Sequence, residues 1–321
     1  MNNSVDSTVH IGLHKTGSTS IQAYLRDNEE HLKNQGYLYP TKKTKSHNNI
    51  AFELNKSSRF DEGRESIKFL RRQISKNPEK RLILSAESFN SISKKSIERL
   101  IKHLPGEVTC IAYIRPQDEF LESIYVQRLK TGRADLDFES FLQEINFLKF
   151  ADYRKKIFPW IDVLEDRGKV VLRSYSRQHL LNNDIISDFL SILGIEFLEF
   201  KEMQNNRSPG ETAAAFMVKF WQEVNSRFTG LTPEMKDKLF GPKLRSAIGQ
   251  NFTNDTSFSG FDHEERLAIR RLFSNSNQEL FKSVNQSVPD WPISKKTKSQ
   301  SIEGEKEWND LITEILASAG H

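Results

Sequence analysis

The sequence predicts an α/β fold: a central parallel sheet flanked by helices, with a helical C-terminal part. Three observations carry that reading. Short apolar runs bounded by turns alternate with amphipathic stretches between Val9 and Leu193. The run Val108–Ile114, VTCIAYI, is apolar along its whole length, as strands covered on both faces are. Beyond Gly210 the pattern turns helical to about residue 288.

Taken in order, Val9–Leu13 reads as a short buried strand and His14–Gly17 as a turn. Ser18, Thr19 and Ser20 open a helix with Ile21, Tyr24, Leu25 and Leu32 on one face and Arg26, Asp27, Glu29 and Glu30 towards water. A polar, lysine-rich loop over 41–49 carries Lys42, Lys43, Lys45 and His47; residues 50–77 read as helical, broken near Asn55–Asp61. Arg81–Ser85 is a second strand, ending at Glu87, and Lys94–His103 a helix before the turn at Pro105 and Gly106. Arg115 follows the third strand, and Pro116 suits the first turn of the next helix. There Phe120, Leu121, Ile124, Tyr125 and Leu129 form the apolar face, beside a polar stripe of Ser123, Gln127 and Lys130. Two helical stretches over 138–168, a fourth strand at Lys169–Arg173 and a helix at Asp184–Leu193 stopped by Gly194 follow. One domain is expected over 1–288, then a polar linker over 289–306. A last amphipathic helix over 307–321 carries Trp308, Leu311, Ile312, Ile315 and Leu316, to dock either on the same domain or on a partner chain.

Composition narrows the function classes. At 321 residues with 36% hydrophobic and 28% charged residues and 22 Phe, the chain has ample material for a core. A net charge of +4 suits a polyanionic small ligand or an acidic glycan and is too diffuse to argue for nucleic acid. The single cysteine, Cys110, lies inside an apolar run, so neither a disulfide framework nor a zinc cluster is expected. With neither a signal-peptide pattern at the N-terminus nor an apolar run near membrane-span length, a cytoplasmic location is the expectation.

The chemistry concentrates first at Val9–Ser20, VHIGLHKTGSTS. A strand, a glycine turn and a hydroxyl-rich helix start expose backbone N–H groups and a positive helix end, and Lys15 adds a full charge. A phosphate or sulfate is expected here, although a turn of this composition also occurs without any ligand. The order K-T-G-S-T differs from the nucleotide-triphosphate loop GxxxxGK[ST], in which the lysine follows the glycine. HIGLHKTGSTSIQ resembles instead the 5′-phosphosulfate-binding loop of the sulfotransferases that use 3′-phosphoadenosine-5′-phosphosulfate (PAPS). It is most similar to their bacterial, carbohydrate-sulfotransferase-like members. The resemblance implies a P-loop-like sulfotransferase fold and PAPS-binding roles for Lys15, Thr16, Gly17, Ser18, Thr19 and Ser20. Lys15 would act at the bridging oxygen of the donor.

A second stretch, IAYIRPQDEFLESIYVQRLKTG, is similar to the family's 3′-phosphate site: a strand, an arginine, and a serine eight residues on, here Arg115 and Ser123. Arg115 at a strand's carboxyl end overlooks the ligand crevice of an α/β sheet and can grip a phosphate with two N–H groups. Plainer roles are a surface ion pair for Arg115 and a helix-surface hydroxyl for Ser123; the two motifs together favour the ligand roles. The implied reaction is in-line sulfuryl transfer to a hydroxyl or amine of a carbohydrate or small-molecule acceptor, with no metal required and no transmembrane segment expected. Two candidate bases compete: His47, set slightly ahead, and Glu87 at the end of the second strand. Their plainer roles are a solvated loop histidine and a carboxylate paired with Lys15 or Arg115. His14 is expected to shape the loop. Arg207, in QNNRSPG, resembles a later family loop that returns to cofactor or acceptor, and Lys42, Lys43 and Lys45 suit an acidic glycan or simply a solvated loop. The alternative functions are a nucleotide-dependent phosphotransferase and a non-catalytic anion- or glycan-binding protein.

Overall fold

The computed structural model describes residues 5–41, 44, 46–56, 65–198, 209–253, 255–298 and 305–319. In chain order, β1 (Ser7–Ile11) leads to α1 (Ser18–Asp27), α2 (Glu29–Asn34), β2 (Tyr37–Leu38), α3 (Asn48–Leu54) and α4 (Ser66–Lys76). Next come β3 (Arg81–Ala86), a 3-10 turn at Glu87–Ser91, α5 (Lys94–Ile101) and β4 (Val108–Ile114). Then follow α6 (Gln117–Lys130), α7 (Phe138–Glu144), α8 (Phe147–Phe150), α9 (Arg154–Leu164), β5 (Gly168–Ser174) and α10 (Ile185–Leu193). The remainder is helical: α11 (Glu211–Arg227), α12 (Pro233–Asn251), α13 (His263–Lys282) and α14 (Glu305–Ala319).

The contacts divide the chain into two units where the sequence predicts one domain over 1–288. The first unit comprises Met1–Pro116, Asp152–Glu202 and Phe273–Trp291; the second comprises Gln117–Ala151, Met203–Leu272 and Pro292–His321.

The first unit holds a five-stranded, all-parallel sheet in the order β2-β3-β1-β4-β5. β1 lies between β3 and β4, with Ile11 level with Ala86 and Ala112. Neighbouring strands therefore end together beside the point where the strand order reverses, which is where open α/β sheets form their ligand crevice. Ile83, Ile111 and Tyr113 face a core shared with Ile21, Leu25, Phe189 and Leu190 of α1 and α10. The alternate positions Leu82, Leu84, Cys110 and Ala112 turn to the other face and are buried too. Coverage on both faces is why these strands read as continuous apolar runs rather than alternating ones.

Several local differences from the sequence reading have visible causes. β1 begins at Ser7, because Ser7 is held at both ends of its polar reach: its N–H donates to the Glu107 carbonyl and its hydroxyl to the Pro105 carbonyl. The first helix breaks at Asn28, whose backbone N–H and side-chain amide both donate to the Tyr24 carbonyl and end α1 there. Where two helices are expected over 138–168 there are three, with Asn146 in the left-handed region at the start of α8.

Two strand edges are met by side chains that imitate a peptide unit. The Gln286 amide donates to the Leu172 carbonyl of β5 and accepts from its N–H, at 3.2 and 3.1 Å. On β3, the His47 backbone N–H donates to the Ser85 carbonyl while the His47 ring Nδ1 accepts from the Ser85 N–H. Trp291 continues the cover of β5, donating from Nε1 to the Ser174 hydroxyl.

The second unit is helical. α14 packs on α11 and α12, with Ile312, Ile315 and Leu316 buried and Trp308 edge-on to Phe216, so the last helix docks on its own chain. Asp118 and Glu122, one turn apart on α6, meet Arg266 and Arg270, one turn apart on α13. Residues 289–298 form neither helix nor strand. The segment is nonetheless tied down, since Lys298 bridges Glu139 and Glu265 at 2.9 Å each.

Candidate functional site

Three adjacent strands deliver three charged residues to one edge of the sheet: Lys15 follows β1, Glu87 follows β3 and Arg115 follows β4. The loop between β1 and α1 is built tightly. The Thr16 hydroxyl, fully buried, donates to the Leu13 carbonyl at 2.7 Å and closes the turn from inside. Gly12 is a close-approach position: a Cβ there would stand 3.0 Å from the Glu87 Cα and 2.8 Å from the Ser18 Oγ. Gly17 takes φ 75° and would set a Cβ 2.9 Å from Ile185, so both the conformation and the packing require glycine. α1 then starts without a capping side chain, leaving its positive end and the N–H groups of Ser18 and Thr19 to the loop. Ser18 is buried, whereas Thr19 is exposed and Ser20 half-buried.

Lys15 itself has φ 63°, in the left-handed region that costs a non-glycine residue about 1–2 kcal/mol. Burial and the neighbouring Arg115 guanidinium push its ammonium pKa down, and Glu87 partly offsets them. Glu87 shifts the other way: burial raises its carboxyl pKa and Lys15 pulls it back. The Arg115 guanidinium lies 5.8 Å from the centre of the Tyr175 ring and reaches the Lys15 carbonyl at 3.5 Å, while its own carbonyl accepts from the Tyr153 hydroxyl at 2.9 Å. Two like charges and one opposite charge thus stand at the mouth of a helix N-terminus.

His47 is placed differently from the expected loop base. It is buried, its Nε2 donates to the Pro40 carbonyl at 3.0 Å, and its Nδ1 is taken by the Ser85 N–H at 3.0 Å. Burial pushes its pKa down to about 4. With no lone pair left to accept a substrate proton, the ring serves β3 as a structural partner, and the solvated-loop alternative fails as well. His10, on β1, is likewise buried, with Nδ1 at 2.8 Å from the Ser85 hydroxyl and its pKa pushed down to about 3. Both histidines stay neutral in the native state while an unfolded histidine takes up a proton near pH 6.5. The native chain therefore binds fewer protons below that pH, and stability present above pH 6.5 is lost as pH falls towards 4. Urea unfolding is expected to show a decline of roughly 1.4 kcal/mol per pH unit for each histidine across that window. A His10→Gln variant should show a shallower decline; an identical slope would overturn the assignment.

Ser123 lies half-buried on the second turn of α6, in the second unit. Arg207, Lys42, Lys43 and Lys45 lie outside the described residues. Sequence reasoning missed Tyr175, whose ring borders both Arg115 and the Gly17 turn. Its signal was its place one residue beyond a strand end. It also missed Asn90, whose amide donates to the Gly12 carbonyl at 3.1 Å and ties the Glu87 turn to the end of β1.

Sheet and loop together define an α/β protein with a cluster of charged residues at the carboxyl edge of a parallel sheet. No family model matches the chain, and no solved structure matches it. An uncharacterized protein of the archaeon Archaeoglobus fulgidus is 25% identical over 243 residues, which are 74% of this chain and 62% of that relative. The chain thus spans less than two thirds of the relative's length. No helix among the described residues is long and apolar enough to cross a membrane, and no group of His, Cys, Asp and Glu among them could hold a metal ion.

Proposed function

We propose that the chain is a PAPS-dependent sulfotransferase on a P-loop-like sulfotransferase fold, acting in the cytoplasm on a hydroxyl or amine of a carbohydrate or other small acceptor. The observation that carries this reading is the convergence of Lys15, Glu87 and Arg115 at the ends of three neighbouring strands, beside an uncapped helix start. Its resemblance to the PAPS-binding loop and the arginine–serine pair adds the donor's identity. The donor set fits the group: an ammonium, a guanidinium and helix N–H groups all favour a sulfated, phosphorylated nucleotide. When bound, PAPS supplies an activated sulfuryl group.

The residues then divide the work. Lys15 neutralises charge gathering on the oxygen that leaves with the 5′-phosphate, as in phosphoryl transfer, where positioning and charge stabilisation dominate. The N–H groups and hydroxyls of Thr16 to Ser20 hold the 5′-phosphate, with Thr16 acting through the loop it closes. Arg115 takes the 3′-phosphate. Glu87 accepts the acceptor's proton, a role helped by a carboxyl pKa raised by burial. His47, with both nitrogens engaged, leaves that role to Glu87.

Calorimetric titration with adenosine 3′,5′-bisphosphate, set beside ATP with Mg²⁺, tests the proposal without knowledge of the acceptor. The expected result is preference for the bisphosphate, weakened on the order of 30-fold or more in Arg115→Ala, the cost of removing one partner of a charged pair. Preference for ATP would move the reading to a phosphotransferase, and binding of neither would overturn it.

A further inference from the structure

The sequence reading leaves His14 as a residue that shapes its loop, but its side chain points at the candidate base. His14 Nδ1 stands 3.9 Å from Glu87 Oε2, with 44% and 37% of the two side chains exposed. The surrounding charges are asymmetric. Glu87 is flanked by Lys15 on the β1 loop, and Lys15 in turn by Arg115 at the end of β4. The backbone brings the pair together: Gly12 allows β1 to pass against the Glu87 Cα, and Asn90 ties that turn to the Gly12 carbonyl. Of the other nearby histidines, His47 is held through both ring nitrogens by Pro40 and Ser85, and His10 is fully buried with its Nδ1 at the Ser85 hydroxyl.

We propose that His14 and Glu87 form a proton-passing pair, in which His14 positions the Glu87 carboxylate and carries its proton to solvent. The inference rests on the sulfotransferase reading of the same site. In the step, the acceptor oxygen forms a bond to sulfur as its proton passes to Glu87. The bond from sulfur to the 5′-phosphate oxygen breaks, and its electron pair leaves with the bisphosphate. Glu87 would then be left protonated, and its raised carboxyl pKa slows loss of that proton. His14 Nδ1 receives the proton, and the imidazolium releases it to water through its open face. The 3.9 Å separation closes to hydrogen-bond length by side-chain rotation, since neither group is packed on all sides. Charge balance is restored between turnovers, because Glu87 returns to its ionised form opposite Lys15.

Two measurements test this. First, the His14 imidazole is titrated by NMR in the intact protein and in Glu87→Gln. An ionised carboxylate at this distance raises a histidine pKa, so the variant should titrate lower by about one unit. Second, release of adenosine 3′,5′-bisphosphate from PAPS is followed with water as acceptor. His14→Gln is expected to lower the rate on the order of tenfold or more, and added imidazole to restore part of it. A purely structural ion pair would move the titration but would give neither the rate loss nor the rescue by imidazole. An unchanged titration in Glu87→Gln, or a His14→Gln enzyme with the parent rate, overturns the pair while leaving the sulfotransferase reading intact. An intact protein that binds no bisphosphate overturns that reading itself, and the pair then has no reaction to serve.

Discussion

Lys15→Asn is expected to slow the proposed sulfuryl transfer severely and leave the protein as stable as before or more so. Three features of the native residue oppose stability. It sits in the left-handed region, where asparagine is better tolerated than lysine. Its ammonium is partly buried, and it faces the like charge of Arg115. Only Glu87 favours that charge, and in the proposed reaction it serves the nucleotide donor. Loss of one preorganised charge-stabilising group costs on the order of 10²–10³ in rate, and bisphosphate affinity should fall with it. Thermal unfolding and single-turnover assays on one preparation give both numbers. A variant that keeps its rate, or one that unfolds well below the parent, would mean that Lys15 is structural.

The second large effect lies in the other unit. Arg266 is fully buried and donates to Asp118 at 3.0 Å, to Glu122 at 2.6 Å and to the Ser259 hydroxyl at 2.7 Å. Glu122 also accepts the N–H of Gly260, and Arg270 grips Asp118 through two nitrogens. Burial already raises the Glu122 carboxyl pKa, and Arg266 is the first group that resists the rise. Arg266→Met strands a buried carboxylate, and a broken buried pair costs about 3–5 kcal/mol. The unfolding transition should fall by roughly 10 °C. Adding Glu122→Gln to that variant removes the stranded charge and should recover part of the loss. A shift of one or two degrees in the single variant would show that the network is energetically idle.

What the sequence showed, and what it hid, separates along physical lines. Val108–Ile114 and Arg81–Ser85 were legible because strands buried on both faces write themselves as unbroken apolar runs. Lys15, Glu87 and Arg115 were legible because each stands just beyond such a run, where a charged residue has no packing duty. His47 was not. A histidine among lysines and asparagines looks solvated, and only the fold shows its ring completing the edge of β3. The Arg266 network was hidden for a related reason. Its acids and bases are about 148 residues apart, so the stripe of Asp118 and Glu122 reads as the wet face of a helix. Residues 289–298 looked like a linker because their anchors, Trp291 and Lys298, are two isolated contacts rather than a periodic pattern.

The Gln286 amide on β5 has a consequence beyond packing. A strand whose N–H and carbonyl groups face outwards is a template on which a neighbouring chain can add itself, and proteins blunt such borders in varied ways. Here a single carboxamide supplies one counterfeit peptide unit at Leu172, and a few residues on Trp291 reaches only a side chain, the Ser174 hydroxyl. The strand's pairing demand is met at that position by a group that offers nothing further along, so it seals the border without extending it. β5 is synthesised more than a hundred residues before Gln286, and the nascent sheet carries that border bare until Gln286 has been made. The period of greatest hazard for clumping is then the interval of synthesis, not the life of the finished protein.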